Sequence, residues 1–172
     1  MLPATDELFL YTVTSRVTSD CLVDCLEQWW KQVRTRFEHI TTLVINLDNG
    51  PENHSYRTQF LDRLVEFAQR FAITVRLAYY PPYHSKYNPI ERCWGRLEQH
   101  WNGSILDTVD TVLRFAESMT WKGIQPVVER VTTTYKTGVK LTKAAMGAVE
   151  ARVVRLPNLE RWFVDIVPPL CG

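Results

Sequence analysis

The sequence has no apolar run approaching the roughly 18 residues that a membrane-spanning helix needs, so no membrane span is expected. It has no excess of charge of either sign. Lys and Arg total 20, Asp and Glu total 19, and the net charge is +1. A uniformly basic coat for nucleic acid is thereby excluded, while a local basic patch is not. Cysteine is scarce and unevenly placed, at Cys21, Cys25, Cys93 and Cys171, and no CxxC pair occurs. A zinc framework is therefore not expected, and a reducing cytoplasm suits the chain best. The first residues include Asp6 and Glu7 and no cationic leader, so a secretory signal is not expected either. Internal repeats and low-complexity segments are lacking as well. Apolar material is plentiful: 45% of the 172 residues are hydrophobic and 12% aromatic, enough for a buried core and too much for a disordered chain.

The order of elements is legible from the hydrophobic pattern. Residues 7–15, ELFLYTVTS, are aromatic and β-branched and predict a strand. Ser19 or Asp20 offers a helix N-cap, and Leu22, Val23, Leu26, Trp29, Trp30, Val33 and Phe37 then form a wide apolar stripe. Residues 42–48, TLVINLD, read as a strand buried on both faces, closed by the turn signal Asn49-Gly50-Pro51. A second amphipathic helix follows, with Phe60, Leu61, Leu64, Val65, Phe67, Ala68 and Phe71 inward, then a strand over 73–79. Strands alternating with helices predict an α/β sheet with parallel members. A loop rich in proline and aromatics leads to Asn88, a good N-cap, and Pro89, a favoured first helical residue. The next helix sets Ile90, Cys93, Trp94, Leu97 and Trp101 along one side. Residues 107–119 predict another helix, 127–135 read as extended or helical, 141–154 as helix and 156–166 as a short docking helix.

Two carboxylates stand out. Asp48 ends the most apolar strand, at the end of the sheet where α/β proteins bind ligands. Glu91 lies in the first turn of the helix after the proline-rich loop. Enough chain separates them for one helix and one strand, so neighbouring strands would bring both to one end of the sheet. Converged carboxylates repel unless a shared proton or divalent cations join them. Magnesium suits such a pair, because it is often held by one or two carboxylates with waters and phosphate oxygens. On spacing alone the two residues read better as a turn former and an acid complementing a helix N-terminus.

The surrounding residues narrow the choice. TLVINLDNGPENHS followed by YYPPYHSKYNPIERCWGRLEQHW closely resembles bacterial insertion-sequence transposases of the DDE class, within the mariner-like superfamily and in detail the Rhodopirellula-type DDE domain. The matching features are Asp-Asn after a hydrophobic strand and Asn-Pro-Ile-Glu opening a helix; the resemblance spans about residues 2–168. It implies a ribonuclease H-like catalytic domain with three acids that bind two Mg2+ or Mn2+ ions. It also implies phosphodiester hydrolysis and strand transfer on DNA, at transposon ends and at the target. Asp48 matches the second acid and Glu91 the third.

The first acid has no match. Asp6, Asp20 and Asp24 precede Asp48, but none stands on the strand that carries the first acid in the family. The expectation is an N-terminally truncated chain: an incomplete ribonuclease H-like α/β fold, a mixed sheet flanked by helices, over 1–103, and a mostly helical C-terminal extension over 104–172. The sheet order implied by the family leaves the strand at 7–15 without its neighbour and the strand at 42–48 with an open apolar edge. Such a chain is expected to be inactive alone and to need an N-terminal segment or a homo-oligomer to complete the site. In supporting roles, Lys86, Arg92, Arg96 and His84 are candidate DNA contacts, with a solvated helix face and a stabilised loop as the alternatives. Asn49 is a candidate to orient Asp48 or to serve the turn, and Asn88 to cap the helix. Lys136, Lys140 and Lys143 form a loose basic cluster, a solvated surface or a track for DNA, and Trp29, Trp30, Trp94 and Trp101 read as core rather than as base-stacking platforms. The rival reading is a non-catalytic DNA-binding or interaction module, or a remnant without function.

Overall fold

The computed structural model describes residues 1–81, 84 and 87–169. The chain runs β1 (Phe9–Val13), α1 (Ser19–Val33), a 3-10 turn (Arg34–Arg36), β2 (Thr42–Leu47), α2 (Thr58–Phe71), β3 (Thr74–Tyr79), α3 (Pro89–Trp101), α4 (Val109–Ser118), β4 (Val127–Val131), α5 (Lys143–Glu150), β5 (Val153–Arg155) and β6 (Phe163–Ile166). It is a mixed α/β protein that divides into two compact units. One comprises Met1–Arg16 with Tyr83–Thr134, the other Val17–Pro82 with Tyr135–Gly172.

The second unit holds a four-stranded sheet in the order β2-β3-β6-β5. β2 and β3 are parallel, in register from Thr42 opposite Thr74 to Leu47 opposite Tyr79. β6 runs antiparallel to both β3 and β5. Strand alternation sends Leu43, Val75, Leu77, Val164 and Ile166 to a buried face. α2 packs on β3 and β6, α1 packs on α2, and α5 packs on α2 and β5. Phe60, Leu61, Leu64, Phe67 and Ala68 of α2 are buried, as their helical spacing requires. α1 contributes Cys21, Val23, Trp30 and Val33, and Thr18 caps it by accepting a hydrogen bond from the Cys21 N–H. On the opposite face Val44, Arg76, Asp165 and Val154 lie in register. Val44 and Val154 are more than half exposed there, and Arg76 forms a bidentate pair with Asp165, both contacts at 2.7 Å.

The first unit is built around β1 paired in parallel with β4, Phe9 opposite Val127 and Val13 opposite Val131. Its core joins Leu8 and Leu10 to Cys93 and Leu97 of α3 and to Ala116 and Met119. Asn88 caps α3, its side chain accepting from the Ile90 N–H at 3.3 Å. Thr108 caps α4 in the same way through the Thr111 N–H.

Several sequence expectations are corrected. β2 is not buried on both faces: residues 43 and 44 alternate between buried and exposed, so only one face is covered. The first strand is not left without a neighbour, because β4 pairs with it. Residues 156–166 are not a helix. The chain turns through Asn158, at φ 69°, and enters β6, which lies between β3 and β5. Trp94 is not core, since it is 45% exposed, whereas Trp30 is 5% exposed. The extended reading of 127–135 holds for Val127–Val131, and α5 accounts for the helical reading of 141–154 up to Glu150.

Candidate functional site

Asp48 follows β2 directly, at the carboxyl end of the strand, and is exposed. The chain then reverses. Asn49 adopts φ 62°, a left-handed conformation that asparagine tolerates better than most residues. Asp48 Oδ1 accepts the Gly50 N–H at 3.3 Å, the signature of an aspartate-initiated turn. It also accepts a hydrogen bond from Asn53 Nδ2 at 3.0 Å. Asp48 Oδ2 has no hydrogen-bond or ion-pair partner among the described residues.

The loop over 48–57 is pinned from three elements. From β3, the Tyr79 hydroxyl donates to the Asn53 carbonyl at 2.7 Å. From α1, the Ser19 hydroxyl donates to the Glu52 carbonyl at 2.8 Å, and Arg57 closes the set with an ion pair to Glu52 at 3.0 Å. From β5, Arg155 Nη1 donates to the Ser55 carbonyl at 2.9 Å, with its guanidinium 4.2 Å from the Tyr56 ring centroid. Burial drives the Tyr79 hydroxyl well above the usual phenol range; Arg155 opposes the shift and Asp48 adds to it. Asp48 therefore stands on a braced loop rather than a free one.

Glu91 belongs to the other unit. It lies in the first turn of α3, three residues after the Asn88 cap, and is exposed. Its carboxylate makes no ion pair among the described residues and is favoured at the positive end of the helix dipole. Arg92 and Arg96 follow one turn apart on α3, both exposed and without an ion pair among the described residues. The His84 ring stacks on Tyr87, centroids 5.8 Å apart. Lys86 lies outside the described residues. Asn49 makes the turn, and the amide on the Asp48 carboxylate is that of Asn53 instead. Sequence reasoning missed Asn53; the Asp-x-Gly pattern signals the turn but not which later side chain folds back.

The three upstream aspartates are engaged elsewhere. Asp6 pairs with Lys122 at 2.9 Å, Asp20 accepts from Gln59 at 2.9 Å, and Asp24 pairs with Arg63 at 2.7 Å. Among the described residues no group of three or more His, Cys, Asp and Glu side chains clusters as a ready-made metal cage. Around Asp48 the neighbouring polar groups are N–H donors, so the one group left to meet a cation there is the carboxylate oxygen Oδ2; hard divalent cations take oxygen ligands and are often held by one or two carboxylates only. Oδ2 is unengaged, and glycine at position 50 keeps the flank of the carboxylate open. A Cβ there would sit 3.5 Å from Oδ1 and 3.7 Å from Oδ2. No helix among the described residues is long and apolar enough to cross a membrane.

Comparison with curated proteins and with solved structures gives no significant match. Comparison with protein families matches residues 1–168 to the Rhodopirellula transposase DDE domain. The match covers nearly the whole chain and includes both acid-bearing motifs, so the chain belongs to the Rhodopirellula-type DDE transposase domain family.

Proposed function

We propose that this chain supplies two of the three metal-binding acids of a DNA transposase, within a ribonuclease H-like fold that is incomplete in the chain by itself. The family match over residues 1–168 carries the reading. The bracing of Asp48 at the carboxyl end of β2 supports it. Asp48 and Glu91 would hold Mg2+ or Mn2+, two ions in the intact site. Bound in pairs, such ions activate an attacking oxygen and stabilise the leaving oxygen of a phosphodiester. The residues of this chain would do the rest. Asp48 presents Oδ2 from a fixed turn, and Glu91 presents its carboxylate from the capped start of α3. Arg92, Arg96, Lys86 and His84 would neutralise and orient DNA phosphates near the scissile bond, as phosphate contacts position a duplex without reading its sequence. The motifs fall within residues 1–103, and the segment from 104 onward has a supporting role, β6 flanking β3. The protein would work in the cytoplasm, on transposon ends and target DNA.

The first acid would arrive on a strand beside β2, which pairs only with β3 among the described residues. An N-terminal segment or a second copy of the chain would supply it. The chain alone is then expected to nick DNA weakly or not at all, because two acids position two metals poorly. The test is nicking of a supercoiled plasmid carrying transposon ends, with Mg2+ or Mn2+, by the chain with and without an added N-terminal segment bearing an aspartate strand. Activity is expected only with the segment, and is expected to fall at least ~100-fold in Asp48→Asn and in Glu91→Gln. Unchanged activity in either variant overturns the assignment. The rival reading is a non-catalytic DNA-binding or interaction module, or a remnant without function. DNA binding that weakens with salt but ignores metal and both acid variants would identify that module.

A further inference from the structure

We infer that Asn53 is the positioning residue of Asp48. The inference rests on the reading of Asp48 as a metal ligand and extends it to a residue that does not itself touch metal or DNA. A carboxylate at the end of a strand rotates between orientations that present different oxygens. Here Oδ1 is occupied twice, by the Gly50 N–H and by Asn53 Nδ2, which leaves Oδ2 as the outward oxygen. The Asn53 amide is in turn held by its own backbone. Its N–H donates to the Gly50 carbonyl at 3.2 Å, and its carbonyl accepts from the Tyr79 hydroxyl at 2.7 Å. Tyr79 is 5% exposed in β3, so the chain of contacts runs from the buried sheet to the exposed carboxylate.

The space around the contact points the same way. Asn53 Oδ1 is buried and has no hydrogen-bond partner among the described residues, so the contact of Nδ2 with Asp48 is the one hydrogen bond the side-chain amide makes among them. A Cβ on residue 50 would lie 3.2 Å from that Oδ1, closer than most packing allows. Glycine at 50 is thus the residue that lets the amide approach the carboxylate. Groups that orient metal ligands commonly change metal affinity by roughly 10–100-fold when removed.

The experiment is a Mn2+ titration of the 15N-labelled full chain, reading paramagnetic broadening of the amide signals over 48–53. Unfolding is followed separately by circular dichroism. Asp48→Asn is expected to abolish the broadening. Asn53→Ala is expected to raise the apparent Kd for Mn2+ about tenfold while the protein stays folded, and Gly50→Ala is expected to raise it in the same direction by a smaller factor. A merely structural role would lower Tm without moving the Kd of the folded protein. An unchanged Kd in Asn53→Ala overturns the positioning role and leaves the metal reading standing. Should Asn53→Ala not fold, an unchanged Kd in Gly50→Ala does the same. Broadening that persists in Asp48→Asn overturns the metal reading itself.

Discussion

Trp30 and Trp94 carry the same side chain on amphipathic helices and meet opposite surroundings. Trp30 is 5% exposed and stacks on Phe37, centroids 6.4 Å apart; Trp94 is 45% exposed. Trp30→Ala is expected to cost about 3–5 kcal/mol, and Trp94→Ala no more than about 1 kcal/mol. Urea denaturation of the two variants measures the difference. The sequence pattern treated both as core for an understandable reason. Trp94 adjoins Cys93, and one helical step of about 100° separates a core position from the rim of an apolar stripe. The Asp48 loop has a similar history. The turn was legible from Asp-Asn-Gly, and the strand before it from TLVINL. That Asn53 rather than Asn49 reaches the carboxylate depends on Ser19, Tyr79 and Arg155 pulling the loop into shape from distant parts of the sequence. No local pattern records such contacts.

Among the elements, the strands and helices with a clean period were readable to within a few residues at their ends. Those whose period was ambiguous were not. Leu156, Leu159, Trp162, Phe163 and Ile166 recur at spacings of one, three and four, which imitate a helical face. Within β6 the buried residues are Val164 and Ile166, two apart, and strand pairing to β3 and β5 decides the outcome. β2 misled in another way, because a continuous apolar run implies two buried faces only when both faces are covered. The ends of elements carry conformational strain as well. α2 ends at Ala72, exposed and left-handed at φ 50°, where its N–H reaches the Ala68 and Gln69 carbonyls. A left-handed residue with a Cβ costs roughly 1–2 kcal/mol, and glycine is the usual occupant of that position. Glycine also loses more freedom on folding, so Ala72→Gly is expected to stabilise by up to about 1 kcal/mol. A rise in Tm of a few degrees would check it.

At the scale of the whole chain, the unit bearing Asp48 depends on phenols staying neutral. Burial first of all holds Tyr79 and Tyr135 well above the usual phenol range. Their stabilising effect is fully present below pH 10, the ordinary phenol value. Above it the unfolded chain releases protons that the folded chain retains, so stability falls, by up to about 1.4 kcal/mol per pH unit for the buried Tyr79 and by less for Tyr135, which solvent screens. Thermal melts across pH 8 to 12 (a range chosen around the phenol value of about 10) should show this decline, and Tyr79→Phe should flatten it while losing the bond that holds Asn53. The division into units has an effect on how the chain is made. Each unit is assembled from two stretches of sequence, and the stretches alternate along the chain. β1 is synthesised before its partner β4, which follows only after α1, β2, α2, β3, α3 and α4. For that interval FLYTV is an unpaired β-branched and aromatic segment, the kind that binds chaperones or other nascent chains. Yield in the cell should therefore be governed by the waiting time of β1 as much as by the stability of the finished protein.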